Sequence, residues 1–181
     1  STWRILSLPH DWSIEGDFSL DNPSTPGGGA LPGGIGWYRK TFTLPETDRD
    51  KVIYVDFDGV YRNSEVWING HSLGFRPNGY VSFRYDLTPY LRYGSQPNVI
   101  AVKADNSEQP NSRWYSGSGI YRNVWLVKVN PVHVDNWGTF VHDMKISSEE
   151  ATFALEVRIR NSSEADREAE VSTSIYDDRN K

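Results

Sequence analysis

Apolar and polar residues alternate along most of this chain with a period of two, which is typical of β-strands with one face toward a core. In residues 36–44, for example, Tyr38, Phe42 and Leu44 fall on one face of the predicted strand and Arg39 falls on the other. Helical periodicity is nearly absent. The strands predicted in the first part of the chain span residues 36–44, 52–57, 64–68, 71–74, 82–87, 98–105 and 120–129.

Turn signals separate these segments. Asn69-Gly70 lies between two apolar runs and predicts a tight hairpin, because both residues tolerate positive φ. Residues 87–91 predict one short helical turn. Short strands spaced by turns favour an all-β fold, namely an antiparallel β-sandwich or jelly roll.

The pattern changes near Asn130-Pro131. Four further strands are predicted beyond it, and the one at residues 152–159 has a clean apolar face and a clean charged face. An immunoglobulin-like sandwich needs about seven strands and about 100 residues, so these strands predict only the beginning of such a domain. We therefore predict a jelly-roll domain over residues 1–130 and an incomplete Ig-like sandwich over residues 131–181. The four strands span residues 132–137, 139–146, 152–159 and 170–176.

Two long loops interrupt the strand pattern, at residues 19–36 and 106–119, and both flank strands of the predicted sandwich. Connections of this length are usually functional or disordered, so the two loops are expected to meet at one end of the sandwich. The second loop places an arginine, asparagine and two aromatic side chains on a Gly/Ser-rich segment. Aromatic faces beside planar donors suit a flat, hydroxyl-covered ligand such as a sugar.

Composition narrows the classes of partner. The net charge is −5 and no Lys/Arg cluster is present, which argues against nucleic acid. There are no cysteines, so disulfides, Cys-based metal sites and a Cys nucleophile are excluded. No apolar run approaches the roughly 20 residues that span a membrane, and no signal peptide is recognisable. The first residues read as the middle of a structured segment, so a trimmed N-terminus is expected, and cytoplasm and periplasm both stay open.

Five motifs occur in an order and at a spacing that resemble the N-terminal sugar-binding domain of glycoside hydrolase family 2, particularly in bacterial β-galactosidases. They are LPHDW at residues 8–12, GWYRK at 36–40, FDGV at 57–60, VWING at 66–70 and RWYSGSGIYRNVW at 113–125. The resemblance covers roughly residues 1–130, and residues 132–181 resemble the start of the family's Ig-like second domain.

The resemblance implies a retaining hydrolase whose two catalytic carboxyl groups stand on a (β/α)8 barrel. No such barrel is recognisable in this sequence, so no catalytic residue is expected in it. The chain is then the non-catalytic part of an enzyme that helps to shape the sugar subsite of the barrel. The family implies a β-galactoside-type carbohydrate as the partner, no cofactor, and possible homo-oligomers of the full-length enzyme.

The same resemblance makes the second loop the first candidate for sugar binding. Arg113 or Asn111 is expected to hydrogen-bond sugar hydroxyls, with Trp114 stacking nearby. Arg113 is where this sequence departs from the best-known members of the family. The alternative is that Arg113 pairs with a carboxylate and Trp114 belongs to the core.

Two further residues are weaker candidates for the same ligand. Asn22 lies in an Asn-Pro loop like one that contacts the sugar in the family, and the alternative is an Asx-turn before Pro23. Asp11 is the candidate in the His10-Asp11-Trp12 segment, and the alternative is a carboxylate that caps backbone N–H groups. No metal site is predicted, since Asp58-Gly59 is better interpreted as a turn.

Three functions remain open at this point. The first is part of a β-galactosidase-like hydrolase, with β-glucuronidase or β-mannosidase as variants on the same architecture. The second is a free-standing carbohydrate-binding module, which predicts exposed Trp or Tyr side chains in a row on one sheet face. The third is a structural sandwich without a ligand, which predicts that the two long loops lie apart.

Overall fold

A computed structural model describes residues 3–176, apart from the side chains of residues 143 and 144. The chain divides into two compact units, Ser1–Lys128 and Val129–Lys181. Both are built from strands, joined by short 3-10 turns in the first unit, so the predicted all-β sandwich class is confirmed. Within the described residues there is no helix with the length and apolar character needed to cross a membrane.

The first unit contains two sheets. The first sheet has the strand order β1-β6-β3-β4, and the second has the order β5-β2-β7. The strands are β1 (Gly34–Phe42), β2 (Val52–Phe57), β3 (Ser64–Ile68), β4 (His71–Arg76), β5 (Phe83–Asp86), β6 (Asn98–Asn106) and β7 (Val124–Val129). The 3-10 turns span Ser13–Glu15, Pro26–Gly28, Glu46–Asp48 and Thr88–Tyr90.

Alternation along the strands decides which side chains form the core. In the first sheet Tyr38 pairs with Val102, which also pairs with Val66, so one face presents all three toward the core. Strand β2 is buried along nearly its whole length, as is typical of a central strand. Phe57 of β2 stacks on Phe83 of β5, with ring centroids 4.9 Å apart.

The predicted hairpin is present between β3 and β4. Asn69 has φ +49° and Gly70 has φ +88°, the left-handed values that a two-residue turn of this kind requires. The short turn predicted over residues 87–91 is the 3-10 turn Thr88–Tyr90. Local sequence signals are sufficient to locate both turns because their backbone conformations suit the residues within the turn.

The strand predicted over residues 120–129 is shorter in the structure, where β7 begins at Val124. The preceding residues are held by other partners. Gly119 exchanges both backbone hydrogen bonds with Tyr61, at 2.8 and 2.9 Å, and Ile120 is buried in the core. Gly119 has φ +120°, and a Cβ there would lie 2.2 Å from Tyr38 Oη, so glycine is required.

The described residues of the second unit, 129–176, form two antiparallel strands, β8 (Val132–Ile146) and β9 (Ala151–Asn161). Two strands were predicted within residues 132–146, but the structure has one strand whose pairing is interrupted between Val134 and Thr139. Arg160 donates two hydrogen bonds to the Asp135 carboxylate beside this interruption, at 2.9 and 3.0 Å. The hydrogen bonds from Arg160 lower the pKa of Asp135 to about 2.

The strand predicted over residues 170–176 is wrong. These residues are exposed and form no strand, because no described strand pairs with them and a lone segment leaves its backbone groups to water. Residues 177–181 of the predicted second domain lie outside the described residues.

Asn98 is a buried asparagine whose side chain forms several hydrogen bonds. Asn98 is 0% exposed, and its amide bonds both Arg92 N and Arg92 O at 2.8 Å and also accepts from Asn69 Nδ2 at 2.8 Å. Asn98→Ala leaves these groups unpartnered, so we expect a loss of about 2–3 kcal/mol in the free energy of unfolding, measured by urea denaturation. The exposed Asn123→Ala is the control and should change it by less than about 0.5 kcal/mol. Equal effects of both substitutions would contradict the proposed network.

Candidate functional site

The two long loops of the first unit contact each other. A Cβ on Gly29 of the first loop would lie 3.4 Å from the ring of Tyr115 in the second. A Cβ on Gly33 would lie 3.1 Å from Gln109 Cγ. The loops therefore form one surface at one end of the sandwich. The hypothesis of a structural sandwich without a ligand predicted that the two loops lie apart, and this prediction is wrong.

A buried polar cluster holds the base of the second loop. Ser118 is 0% exposed; its hydroxyl accepts a hydrogen bond from Asn106 Nδ2 at 2.8 Å and is hydrogen-bonded to Ser13 Oγ at 2.7 Å. Asn106, 2% exposed, also donates to Gly117 O at 3.0 Å. We did not predict this cluster, because Ser13 and Ser118 are far apart in sequence. Asn106 alone carried a signal, as an asparagine at the end of a strand.

Asp11 connects the N-terminal segment to the same loop. Its Oδ1 accepts from Ser13 N and Ser118 N, both at 2.9 Å, and its Oδ2 accepts from the Tyr115 hydroxyl. Burial, together with the Asp11 hydrogen bond, raises the pKa of the Tyr115 hydroxyl. Three protein donors converge on this carboxylate, so its main effect in this structure is to fix the position of the loop.

Asn111 organises the middle of the loop. Its Nδ2 donates to Asn106 Oδ1 at 2.6 Å and to Glu108 O at 3.2 Å. Its Oδ1 accepts from the Tyr61 hydroxyl at 3.2 Å. Hydrogen bonds to the protein thus use both ends of this amide, which rigidifies the loop around it.

Arg113 and Trp114 lie at the exposed tip of the loop. Arg113 forms no hydrogen bond or ion pair with any residue in the described part of the chain, so the alternative of a carboxylate partner has no support there. Trp114 is 61% exposed, and its Nε1 donates to the Tyr80 hydroxyl at 3.3 Å. The alternative that Trp114 belongs to the core is therefore wrong. An exposed aromatic side chain and an exposed cationic side chain are therefore adjacent on a loop whose base is held by buried hydrogen bonds.

Asn22 has a different environment in the first loop. Its Nδ2 donates to Asp17 O at 2.9 Å and to Ala30 O at 2.8 Å. The Asn22 side chain thus links the backbone at Asp17 to the backbone at Ala30. The structure thus brings Asn22 into the same pair of loops as Arg113, and its amide donors bind main-chain carbonyls.

His10 faces away from Asp11, as neighbouring residues on an extended segment do. Its Nδ1 lies 2.8 Å from the Tyr38 hydroxyl, and its Nε2 lies 2.9 Å from Arg4 and 3.2 Å from Glu15. Burial raises the pKa of Tyr38 to about 12. The hydrogen bond from Arg4 lowers the pKa of the Glu15 carboxyl.

The acidic residues near the end of β2 do not face each other. Asp56 forms a bidentate pair with Arg84, both contacts being 2.6 Å, and Asp58 Oδ2 accepts from Trp125 Nε1 at 3.0 Å. Arg122, just after the second loop, forms no ion pair within the described residues. Tyr121 anchors this segment, because its hydroxyl donates a hydrogen bond to Gly79 O at 2.8 Å.

Comparison with known proteins finds a matching family profile and similar sequences. The family profile described as "Glycosyl hydrolases family 2, sugar binding domain" matches residues 18–130. The chain is 58% identical over 175 residues to "Beta-galactosidase BoGH2A" of Bacteroides ovatus, a match that covers 97% of this chain and 20% of that protein. It is 46% identical over 160 residues to a "Putative beta-glucuronidase" of Formosa agariphila, covering 88% of this chain and 15% of that protein.

Solved structures give the same picture. A β-glycosidase from Bacteroides vulgatus superposes with a TM-score of 0.84 at 51% identity, covering 90% of this chain and 21% of that one. A β-glucuronidase from glycoside hydrolase family 2 superposes with a TM-score of 0.78 at 32% identity, covering 89% of this chain and 19% of that one. The chain thus spans about a fifth of the length of these proteins.

We expect the Asp11 carboxylate to stabilise the fold and to hold the second loop. Asp11→Ala leaves Ser13 N and Ser118 N without their acceptor, so we expect the free energy of unfolding to fall by about 1–3 kcal/mol. Hydrogen exchange at Ser118 N should accelerate. Asp17→Ala, at an exposed carboxylate just before the first loop, is the control and should change neither quantity. Unchanged exchange at Ser118 would show that Asp11 does not hold the loop.

The raised pKa of Tyr38 predicts a dependence of stability on pH. The folded value is about 12 and an unfolded tyrosine titrates near 10, so the folded state keeps its proton longer. The contribution is complete below pH ~10 and is lost as the pH rises through ~12. Tyr38→Phe should therefore lose less stability than the wild type between pH 9 and 11.5, as measured by denaturation at each pH. Parallel pH curves for the two proteins would contradict this.

Proposed function

The chain belongs to glycoside hydrolase family 2, and from this premise we propose that it works as the non-catalytic sugar-binding part of a longer retaining glycosidase, most similar to β-galactosidases. The observation that carries the proposal is the match to the family's sugar-binding profile over residues 18–130, joined to relatives of which the chain spans about a fifth. Hydrolysis would occur on a barrel domain that supplies both catalytic carboxyl groups.

The role of this chain is to complete the wall of the sugar pocket. Arg113 and Trp114 are the side chains that meet the ligand, because they are exposed and stand on a loop fixed by buried hydrogen bonds. The guanidinium group donates in a plane, which suits sugar hydroxyls, and the indole ring suits the apolar face of a pyranose. Asn111, Asn22 and Asp11 support this surface, since their polar atoms already hold the two loops.

The second unit is proposed as the first part of the family's Ig-like domain, with the boundary near residue 130. Its two strands leave an exposed apolar surface that includes Val141, Phe153 and Ile159. A two-stranded ribbon is at best marginally stable alone, so this surface requires further strands to cover it. An Ig-like sandwich would supply them.

A β-glucuronide is the second candidate substrate. A putative β-glucuronidase is among the similar proteins, and Arg113 is an exposed cation without an ion-pair partner among the described residues. A guanidinium group binds a carboxylate in two places, so it would suit the acid group of a glucuronide. Hydrolysis by the intact enzyme of an aryl β-galactoside and the matching aryl β-glucuronide distinguishes the two. Activity confined to the glucuronide would overturn the galactoside assignment.

Substitution of Arg113 in the intact enzyme tests the proposed contact. Arg113→Ala should lower kcat/KM about tenfold or more, because a hydrogen bond from a charged group to the sugar is lost. The melting temperature should stay within about 1 °C, since the side chain has no described partner to lose. Arg122→Ala removes another exposed cation just after the same loop and is the matched control. If a drop in melting temperature accounts for the whole loss of activity, Arg113 is structural.

A further inference from the structure

The outer face of the first sheet carries two tryptophans in contact. Trp37 of β1 and Trp67 of β3 stack with ring centroids 5.4 Å apart and planes 26° from parallel. Their neighbours Tyr38 and Val66 face the core, so alternation turns both indoles outward. The strand between them, β6, presents the small side chain of Ala101 beside Trp67, which leaves room for the rings to meet across it. Trp37 remains 51% exposed.

A cleft continues this aromatic surface at the edge of the sheet. Its volume is about 290 Å³, close to the lower limit for small-ligand sites, and its walls include Trp3 and Trp37. Arg4, His10 and Tyr38 add polar groups to the lining. The guanidinium of Arg39 lies 4.7 Å from the centre of the Trp3 ring, which positions that wall over the sheet.

Charged groups are interleaved with these rings. Lys103, the β6 residue opposite Trp37, lies 3.1 Å from the Glu65 carboxylate and 3.5 Å from that of Asp105. The core of a protein–protein interface is depleted in Lys, Glu and Asp, so this face does not suit a protein partner. An indole beside fixed donors and acceptors is complementary to a sugar ring, which has apolar C–H groups on its face and hydroxyls at its edge.

We propose that this face and the adjoining cleft form a second carbohydrate-binding site, which takes a neutral oligosaccharide with Trp37 as the stacking platform. The site is distinct from the exposed loop tip, because neither Arg113 nor Trp114 lines the cleft. This second site would bind several sugar units of an oligosaccharide, in addition to the sugar unit bound at the hydrolytic subsite. Exposed aromatic rings on a sheet face were also the feature predicted for a carbohydrate-binding module.

Binding to soluble polysaccharides tests the site in the intact protein. Affinity gel electrophoresis with galactan, galactomannan and mixed-linkage β-glucan identifies the polymer that retards the wild type, and calorimetry with the matching tetrasaccharide gives its Kd. Trp37→Ala should weaken Kd about tenfold or more, and Trp37→Phe should retain part of the binding. Trp125→Ala is the matched control, since Trp125 is 55% exposed on the other sheet, and its Kd should stay within about twofold.

Activity on a small aryl β-galactoside separates this inference from the proposed function. Trp37→Ala should leave kcat/KM on that substrate unchanged, whereas Arg113→Ala should lower it. The inference is overturned if no polymer retards the wild type, or if Trp37→Ala binds as tightly as the wild type. It is also overturned if sedimentation shows a dimer that Trp37→Ala dissociates, because the face would then be covered by a second copy of the chain.

Discussion

Three distant segments of the first unit meet at the buried hydroxyl of Ser118. This hydroxyl is hydrogen-bonded to Ser13 near the N-terminus and accepts from Asn106 at the end of β6, while the backbone N–H of Ser118 donates to Asp11. A buried polar group without partners costs about 1–3 kcal/mol, so these segments stabilise one another only when all of them are in place. The position of the exposed loop tip depends on this cluster, because its buried hydrogen bonds anchor the base of the loop.

The side chains of the candidate site fall into two groups, those already hydrogen-bonded to the protein and those exposed to solvent. Asn111, Asn22 and Asp11 use their polar atoms to hold protein groups in and around the two loops, whereas Arg113 and Trp114 are exposed. A ligand gains most from groups that are held in place before it arrives, since little conformational entropy is then lost on binding. The division therefore fits a surface whose inner residues provide rigidity and whose outer residues provide contact.

We propose different roles for the two aromatic surfaces of the first unit. The loop tip combines Trp114 with a cation and belongs to the proposed pocket, while the sheet face combines stacked indoles with ion pairs and an adjoining cleft. Both rest on backbone that the core fixes, either through buried hydrogen bonds or through the strand ladder. Placing sugar contacts on rigid elements keeps the geometry of recognition independent of loop motion.

The sequence by itself determined the local features of this protein. Alternation located most strands because side chains on a strand point to opposite faces in turn, and Asn69-Gly70 specified the hairpin because its turn needs only those two backbone conformations. The five motifs, in their order and spacing, also indicated the family. The tertiary structure decided which polar residues support the site and which remain exposed. Ser118 pairs with Ser13 across a separation in sequence that no local pattern encodes, and Trp37 meets Trp67 only because β6 lies between their strands. The end of a strand is decided in the same way, since residues 170–176 alternate but have no partner strand among the described residues.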